Sequence, residues 1–206
     1  MRLLALLLCL AATTASAAET KVIKDISYKD DVISQTPYEQ ERCKLDLTVP
    51  VGAKGFATYV YFYGGGLKKG SKDLASEYCS EIRQSLAQAG VSVVTPDYRL
   101  IPKAKYPAYV DDAAAAFAWT VKHIAEHGGD PHKVFIGGHS AGATLALLVG
   151  MDPNRLKPHG LTLGSVAGIA QVSAQVLTHY TIREERGQPR YAITCDEAAP
   201  AFYIRK

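Results

Sequence analysis

The sequence predicts an α/β fold, a mostly parallel sheet covered by helices on both faces. Three observations point there. Short apolar runs alternate with helical stretches through the middle of the chain. The connections between them are brief, and Gly64-Gly65-Gly66, Gly90 and Gly128-Gly129 punctuate them. Strand–helix–strand order with such links builds βαβ units, and their crossovers lay helices over the sheet.

The elements follow in order. Lys21 to Tyr28 and Cys43 to Val49 alternate partly between polar and apolar residues, which suits an antiparallel opening to the sheet. Ala57 to Phe62 is a denser apolar and aromatic strand. A helix is expected from Ser71 to about Ala89, with Leu74, Tyr78, Ile82 and Leu86 on one face and Gly90 as its C-terminal stop. Val91 to Thr95 reads as a short buried strand. Tyr109 to His127 reads as a second helix, with Ala113, Ala116, Phe117, Val121 and Ile124 as its apolar stripe. Val134 to Gly137 is another buried strand, Ala141 to Val149 another helix, and Val166 to Val172 the next strand. Leu177 to Asp196 is polar and turn-rich, as a lid would be. Ala201 to Ile204 is expected to begin a further strand or to lead into one.

In parallel sheets ligands sit at the carboxyl ends of the strands. That rule selects the loops after Phe62, Thr95 and Gly137. The last carries Gly138-His139-Ser140-Ala141-Gly142, a G-x-S-x-G pattern between an apolar strand and a helix of small residues. Such a strand-to-helix turn is sharp and strained. Side chains at positions 138 and 142 would collide with nearby backbone. The turn lifts the Ser140 hydroxyl above the sheet, at a helix N-terminus that favours developing negative charge. The first loop carries Tyr63-Gly64-Gly65-Gly66, where glycines let main-chain N–H groups approach a ligand closely. A phosphate-binding P-loop is a poor fit, because Gly70-Ser71 has no lysine between them.

These motifs, taken together and in order, resemble the esterase/lipase branch of the α/β-hydrolases related to hormone-sensitive lipase and bacterial feruloyl-type esterases. The stretch from Tyr63 to Lys72 is similar to that branch's His-Gly-Gly-Gly oxyanion loop, with Tyr63 in place of the histidine. Pro96-Asp97-Tyr98-Arg99-Leu100 is similar to its stretch after the next strand. Tyr106-Pro107-Ala108 and Asp111-Asp112-Ala113 resemble the start of its following helix. The resemblance implies an α/β-hydrolase fold and a carboxylic ester hydrolase with Ser140 as nucleophile. It implies an oxyanion hole made by the N–H groups of Gly65, Gly66 and Ala141, a small-molecule ester as substrate, and no cofactor. An amidase or formamidase on the same scaffold, or a non-catalytic hydrolase-like binding protein, is the alternative reading.

The branch's acid and histidine come after strands beyond Val166 to Val172, and no such pair follows before Lys206. The expectation is therefore an incomplete α/β-hydrolase domain lacking its last strands. His179 and His159, with Asp152 and Asp196, are the residues after Ser140 that could substitute. Asp97 and Arg99 are expected to form a structural ion pair, and Asp111 and Asp112 to cap the following helix and answer Arg99.

Composition supports a single globular domain over residues 18–206: 48% of residues are hydrophobic and 21% charged. The net charge of +3 is scattered, so no nucleic-acid surface is expected. Residues 1–17 read as a signal peptide, with Arg2, an apolar run from Leu3 to Ala12, and Ala15-Ser16-Ala17 before the cleavage site. That run is shorter than the roughly 20 residues a membrane span needs. A secreted or periplasmic location follows, where Cys43, Cys79 and Cys195 could form one disulfide of undetermined pairing, or all be buried as small hydrophobes. Their irregular spacing fits no metal motif.

Overall fold

The computed structural model describes residues 19–29, 35–73 and 77–204. The signal-peptide reading falls on residues outside these. The described residues form a six-stranded sheet and the helices that cover it. The strands are β1 (Thr20–Ser27), β2 (Lys44–Pro50), β3 (Phe56–Phe62), β4 (Ser92–Pro96), β5 (Gly129–His139) and β6 (Gly168–Val172). Their spatial order is β1-β2-β4-β3-β5-β6. β1 and β2 run antiparallel, as does the β2–β4 pair. From β4 to β6 every pairing is parallel. This is the α/β-hydrolase-like sheet that the sequence predicts, including its antiparallel start.

Five α-helices are described: α1 (Pro37–Arg42), α2 (Glu77–Gln88), α3 (Ala108–His123), α4 (Ala141–Met151) and α5 (Tyr180–Glu185). None is long and apolar enough to cross a membrane. The short α1 begins with a capping box. Thr36 Oγ1 accepts from the Glu39 N–H, and the Glu39 carboxylate accepts from the Thr36 N–H. α2 starts later than its periodicity suggests. Lys72 is turned, because its N–H donates to Asp97 Oδ1 at 2.7 Å and its Nζ pairs with Asp46 at 2.9 Å. Gly90, at φ 78°, ends α2 as expected, its left-handed backbone letting N–H groups fold back on the last carbonyls. α3 finishes in a 3-10 turn over Ile124–His127, closed by Gly128 at φ 94°. Residues 200–203 form another 3-10 turn, started by Pro200, so Ala201 to Ile204 does not itself begin a strand.

The core lies mainly between the sheet and α3 with α4. Val60, Val94 and Ile136 meet Val110, Phe117, Leu145 and Leu148, all fully buried. The alternate residues Tyr59 and Phe135 point to the opposite face. There, with Ile82 and Leu86 of α2, they line a cavity of about 620 Å³. β6 is the outer strand, with Ile169 and Val172 exposed. Cys43 is a free, buried thiol as the simpler reading holds, but Cys195 is free and exposed. Asp112 Oδ1 accepts from the Cys43 thiol, and burial pushes that thiol up to about 11.

Candidate active site

The three loops chosen by the carboxyl-end rule meet. Ser140 follows the end of β5 and precedes α4, with φ 53° and ψ −119°, a conformation most L-residues avoid. Close packing of main chain accounts for it. A Cβ added to Gly138 would stand 2.2 Å from the Phe62 carbonyl oxygen. At Gly142 it would stand 2.2 Å from the same oxygen and 2.3 Å from that of Tyr63. Only glycine allows the elbow to press against the end of β3. Ser140 is pinned further by its N–H, which donates to the Val172 carbonyl at 2.9 Å. Among the described residues its hydroxyl has no hydrogen-bond partner.

The glycine loop lies against this elbow. A Cβ on Gly64 would stand 3.2 Å from Ser140 Cβ and 3.0 Å from His139 Nδ1. Gly65 and Gly66 follow at φ 122° and 66°. Both are left-handed, and a Cβ on Gly65 would meet the Lys69 carbonyl oxygen at 2.1 Å. The Gly65 carbonyl accepts from the N–H groups of Lys68 and Lys69. Among the described residues, none of the turn and loop backbone hydrogen bonds is donated by Gly65, Gly66 or Ala141. Ala141 is the first residue of α4, so its N–H lies among those with no intrahelical acceptor.

Tyr63 is buried under the loop. Its ring stacks on Tyr98 at 4.6 Å, its hydroxyl accepts from Arg42 Nη2 at 2.6 Å, and its carbonyl accepts from the Tyr98 hydroxyl at 2.8 Å. Burial raises its phenol far above the ordinary tyrosine value, so it stays neutral. Tyr63 therefore braces the loop from below.

The charged residues nearby pair differently from the expectation. Asp97 meets Arg42 at 3.3 Å, not Arg99. Arg99 grips the fully buried Asp112 through Nε at 2.7 Å and Nη2 at 2.8 Å, and also reaches Glu39 at 3.1 Å. Asp112 thus answers Arg99 as anticipated, while Asp111 pairs with Arg155 at 3.0 Å. Lys29 joins the cluster, 3.1 Å from Asp112 and 2.5 Å from Glu39. These ion pairs tie α1, the loop after β4 and the start of α3 into a base for the site.

The lid segment sits over the glycine loop. Thr181 Oγ1 donates to the Gly66 carbonyl at 2.7 Å, and Lys68 Nζ pairs with Glu184 at 2.8 Å. Tyr180 Oη lies where a Gly66 Cβ would stand, 2.5 Å from that position. Gln175 N–H donates to Thr144 Oγ1 at 3.1 Å, linking the same segment to α4. Lys68 falls within the stretch that resembles the oxyanion loop, whereas the sequence does not single out Thr181 or Gln175, because their partners are a main-chain carbonyl and a residue far away in sequence.

His179, the candidate substitute for the base, is fully buried as the N-cap of α5. Its Nδ1 accepts from the Thr181 N–H at 3.2 Å, and its Nε2 is buried without a partner. Burial, then the cations Arg183 and Arg190, push it down to about 4. A neutral imidazole that accepts at Nδ1 carries its proton on Nε2. It therefore has no free lone pair to take a proton from Ser140. Asp196 is also committed, accepting from Thr178 Oγ1 and pairing with Arg186. Asp152 pairs with Arg155, and the histidine of the elbow, His139, lies against Gly64.

Comparison with known proteins places this geometry. A family model described as the alpha/beta hydrolase fold matches residues 59–203. "Lipase 2" from Moraxella sp. (strain TA144) is 38% identical over 93 residues, covering 45% of this chain and 21% of that protein. "Esterase LipI" from Mycobacterium tuberculosis is 39% identical over 90 residues, covering 44% of this chain and 27% of that protein. The chain thus aligns with about a quarter of the length of these two curated relatives. Among solved structures, Thermogutta terrifontis esterase 2 phosphoramylated by tabun superposes with a TM-score of 0.65 at 25% identity, over 92% of this chain and 67% of that one.

Proposed function

The chain belongs to the α/β-hydrolase family, and from that premise we propose that it is a serine hydrolase of carboxylic esters in which Ser140 is the nucleophile. One observation carries the reading. The strained Ser140 backbone, with the elbow glycines pressed on the carbonyls of Phe62 and Tyr63, sets Ser140 Cβ 3.2 Å from where a Gly64 side chain would begin, which supports a hydroxyl that faces the glycine loop. In the reaction Ser140 Oγ attacks the ester carbonyl carbon and gives its proton to solvent water, since His179, Asp152 and Asp196 are all committed elsewhere. The carbonyl oxygen becomes an oxyanion and takes hydrogen bonds from Gly65, Gly66 and Ala141. Each such donor is worth about 3–4 kcal/mol. Collapse expels the alcohol and leaves the acyl group on Oγ, and water then releases the acid. The esterase and lipase relatives support ester over amide substrates. An amidase would use the same attack, and a higher rate on a butyramide than on the matching butyrate ester would favour it.

The test is covalent labelling. A structural relative is phosphoramylated by an organophosphorus agent, which recommends a fluorophosphonate probe. The probe should modify Ser140, and Ser140→Ala should remove the label. Labelling that persists in Ser140→Ala sinks the assignment. Folded protein that takes no label at all favours the non-catalytic reading. We also propose export, with the mature chain beginning near Ala18, as N-terminal sequencing of exported material would reveal.

A further inference from the structure

Residues within 175–193 line a second cavity, an open one of about 510 Å³, which Ser140 does not line. Arg183 lines it and is only 8% exposed. Its Nη1 donates to the Thr178 carbonyl and its Nη2 to the Arg190 carbonyl. Its Nε is buried with no partner. Among the described residues no ion pair includes Arg183. Its two carbonyl partners hold the guanidinium in place but do not neutralise it. A buried charge without a counter-ion is costly, so the site is set up to receive an anion. Arg190, on the same cavity, is already matched by Glu184 at 2.9 Å.

Beside the polar Gln175, Thr178 and Arg190, the wall carries an apolar part that turns outward. Leu177 and Val176 line it, and Tyr191 and Ile193 stand 89% and 86% exposed. Exposed large hydrophobic groups beside a buried cation make an amphipathic receptor. His179, depressed first by burial and then by Arg183 and Arg190, lies next to the same two cations.

We propose that this cavity binds a carboxylate with an apolar body, its carboxylate at Arg183 and its hydrocarbon against Leu177, Tyr191 and Ile193. The binding requires no turnover and does not depend on the reading of Ser140. Charge-assisted, forked hydrogen bonds from a guanidinium to a carboxylate supply the selectivity.

Calorimetric titration of the full chain with 4-phenylbutyrate and with 4-phenylbutanamide tests it. The acid should bind at least about tenfold more tightly than the amide. Arg183→Gln should erase that preference. Ala192→Trp, which fills the cavity and leaves Arg183 in place, should abolish binding of both, and it carries the test if Arg183→Gln does not fold. Ser140→Ala should bind the acid as the unaltered chain does. Equal affinity for acid and amide, binding of neither, or unchanged acid binding in Ala192→Trp would overturn the proposal. None of these outcomes touches the labelling of Ser140.

Discussion

The Thr181 hydroxyl holds the Gly66 carbonyl at 2.7 Å. That bond joins the lid helix α5 to the loop proposed to stabilise an oxyanion. It also fixes a peptide plane beside a left-handed glycine, at φ 66°, which has little steric reason to stay where it is.

Loosening this bond should therefore slow the attack without removing the nucleophile. Thr181→Val should lower the rate of fluorophosphonate labelling at Ser140 by roughly tenfold, less than the loss of a whole donor. Thr181→Ser, which restores the hydroxyl, should recover most of the rate. A structural defect alone would show in the melting curve and would not be repaired so selectively.

The elbow glycines make a sharper prediction about stability. Gly142→Ala places a Cβ 2.2 Å from a main-chain oxygen that cannot rotate away. It should cost about 3 kcal/mol in denaturant unfolding, as overpacking of a rigid site does. Gly160→Ala is the comparison. That glycine is left-handed too, at φ 74°, but its Cβ would meet nothing within 4 Å. Strain alone should cost about 1 kcal/mol there.

Stability should also fall with pH through His179. Its folded value, about 4, lies below the ordinary histidine value of 6.5, so the unfolded chain binds the proton first. The stabilisation is fully present above pH 6.5 and is lost as pH falls toward 4. The loss amounts to roughly 3 kcal/mol. His179→Asn keeps a side-chain acceptor for the Thr181 N–H and removes the titration. Its unfolding free energy should be flatter over that window.

Asp112 sits at 0% exposure between Arg99 and Lys29. Asp112→Asn leaves Lys29 and Arg99 with Glu39 as the one carboxylate the described residues give them both. It should destabilise the fold by about 3–5 kcal/mol, read by urea denaturation at pH 7. Arg99→Met with Asp112→Leu should cost less than the single change, because no charge is then stranded.

The parallel strands and the elbow were legible because their signals are local. An apolar run, a glycine and a serine at fixed spacing suffice. The reading failed where a distant partner decides. Ser71 to Asp73 fits the helical period, yet Asp97 takes the Lys72 N–H and turns the chain. Residues 129–133 belong to β5 although they look like a polar turn, since Gly129 pairs with Phe56 across the sheet. Asp97 and Arg99 look like partners, but both lie in the loop after β4, and each meets a cation or carboxylate from elsewhere. Residues 201–204 are apolar enough for a strand, but Pro200 starts a 3-10 turn.

The attachments between α5 and residues 66–68 have a consequence for how the molecule opens. A segment that unfolds locally takes with it whatever its hydrogen bonds hold in place. Thr181, Tyr180 and Glu184 all rest on the glycine loop, so the lid and that loop should form one cooperative unit. In native-state hydrogen exchange their amides should share a single opening free energy, and denaturant should reveal them together, ahead of β3 and β5. Any opening of α5 would then disassemble the glycine loop for as long as it lasts.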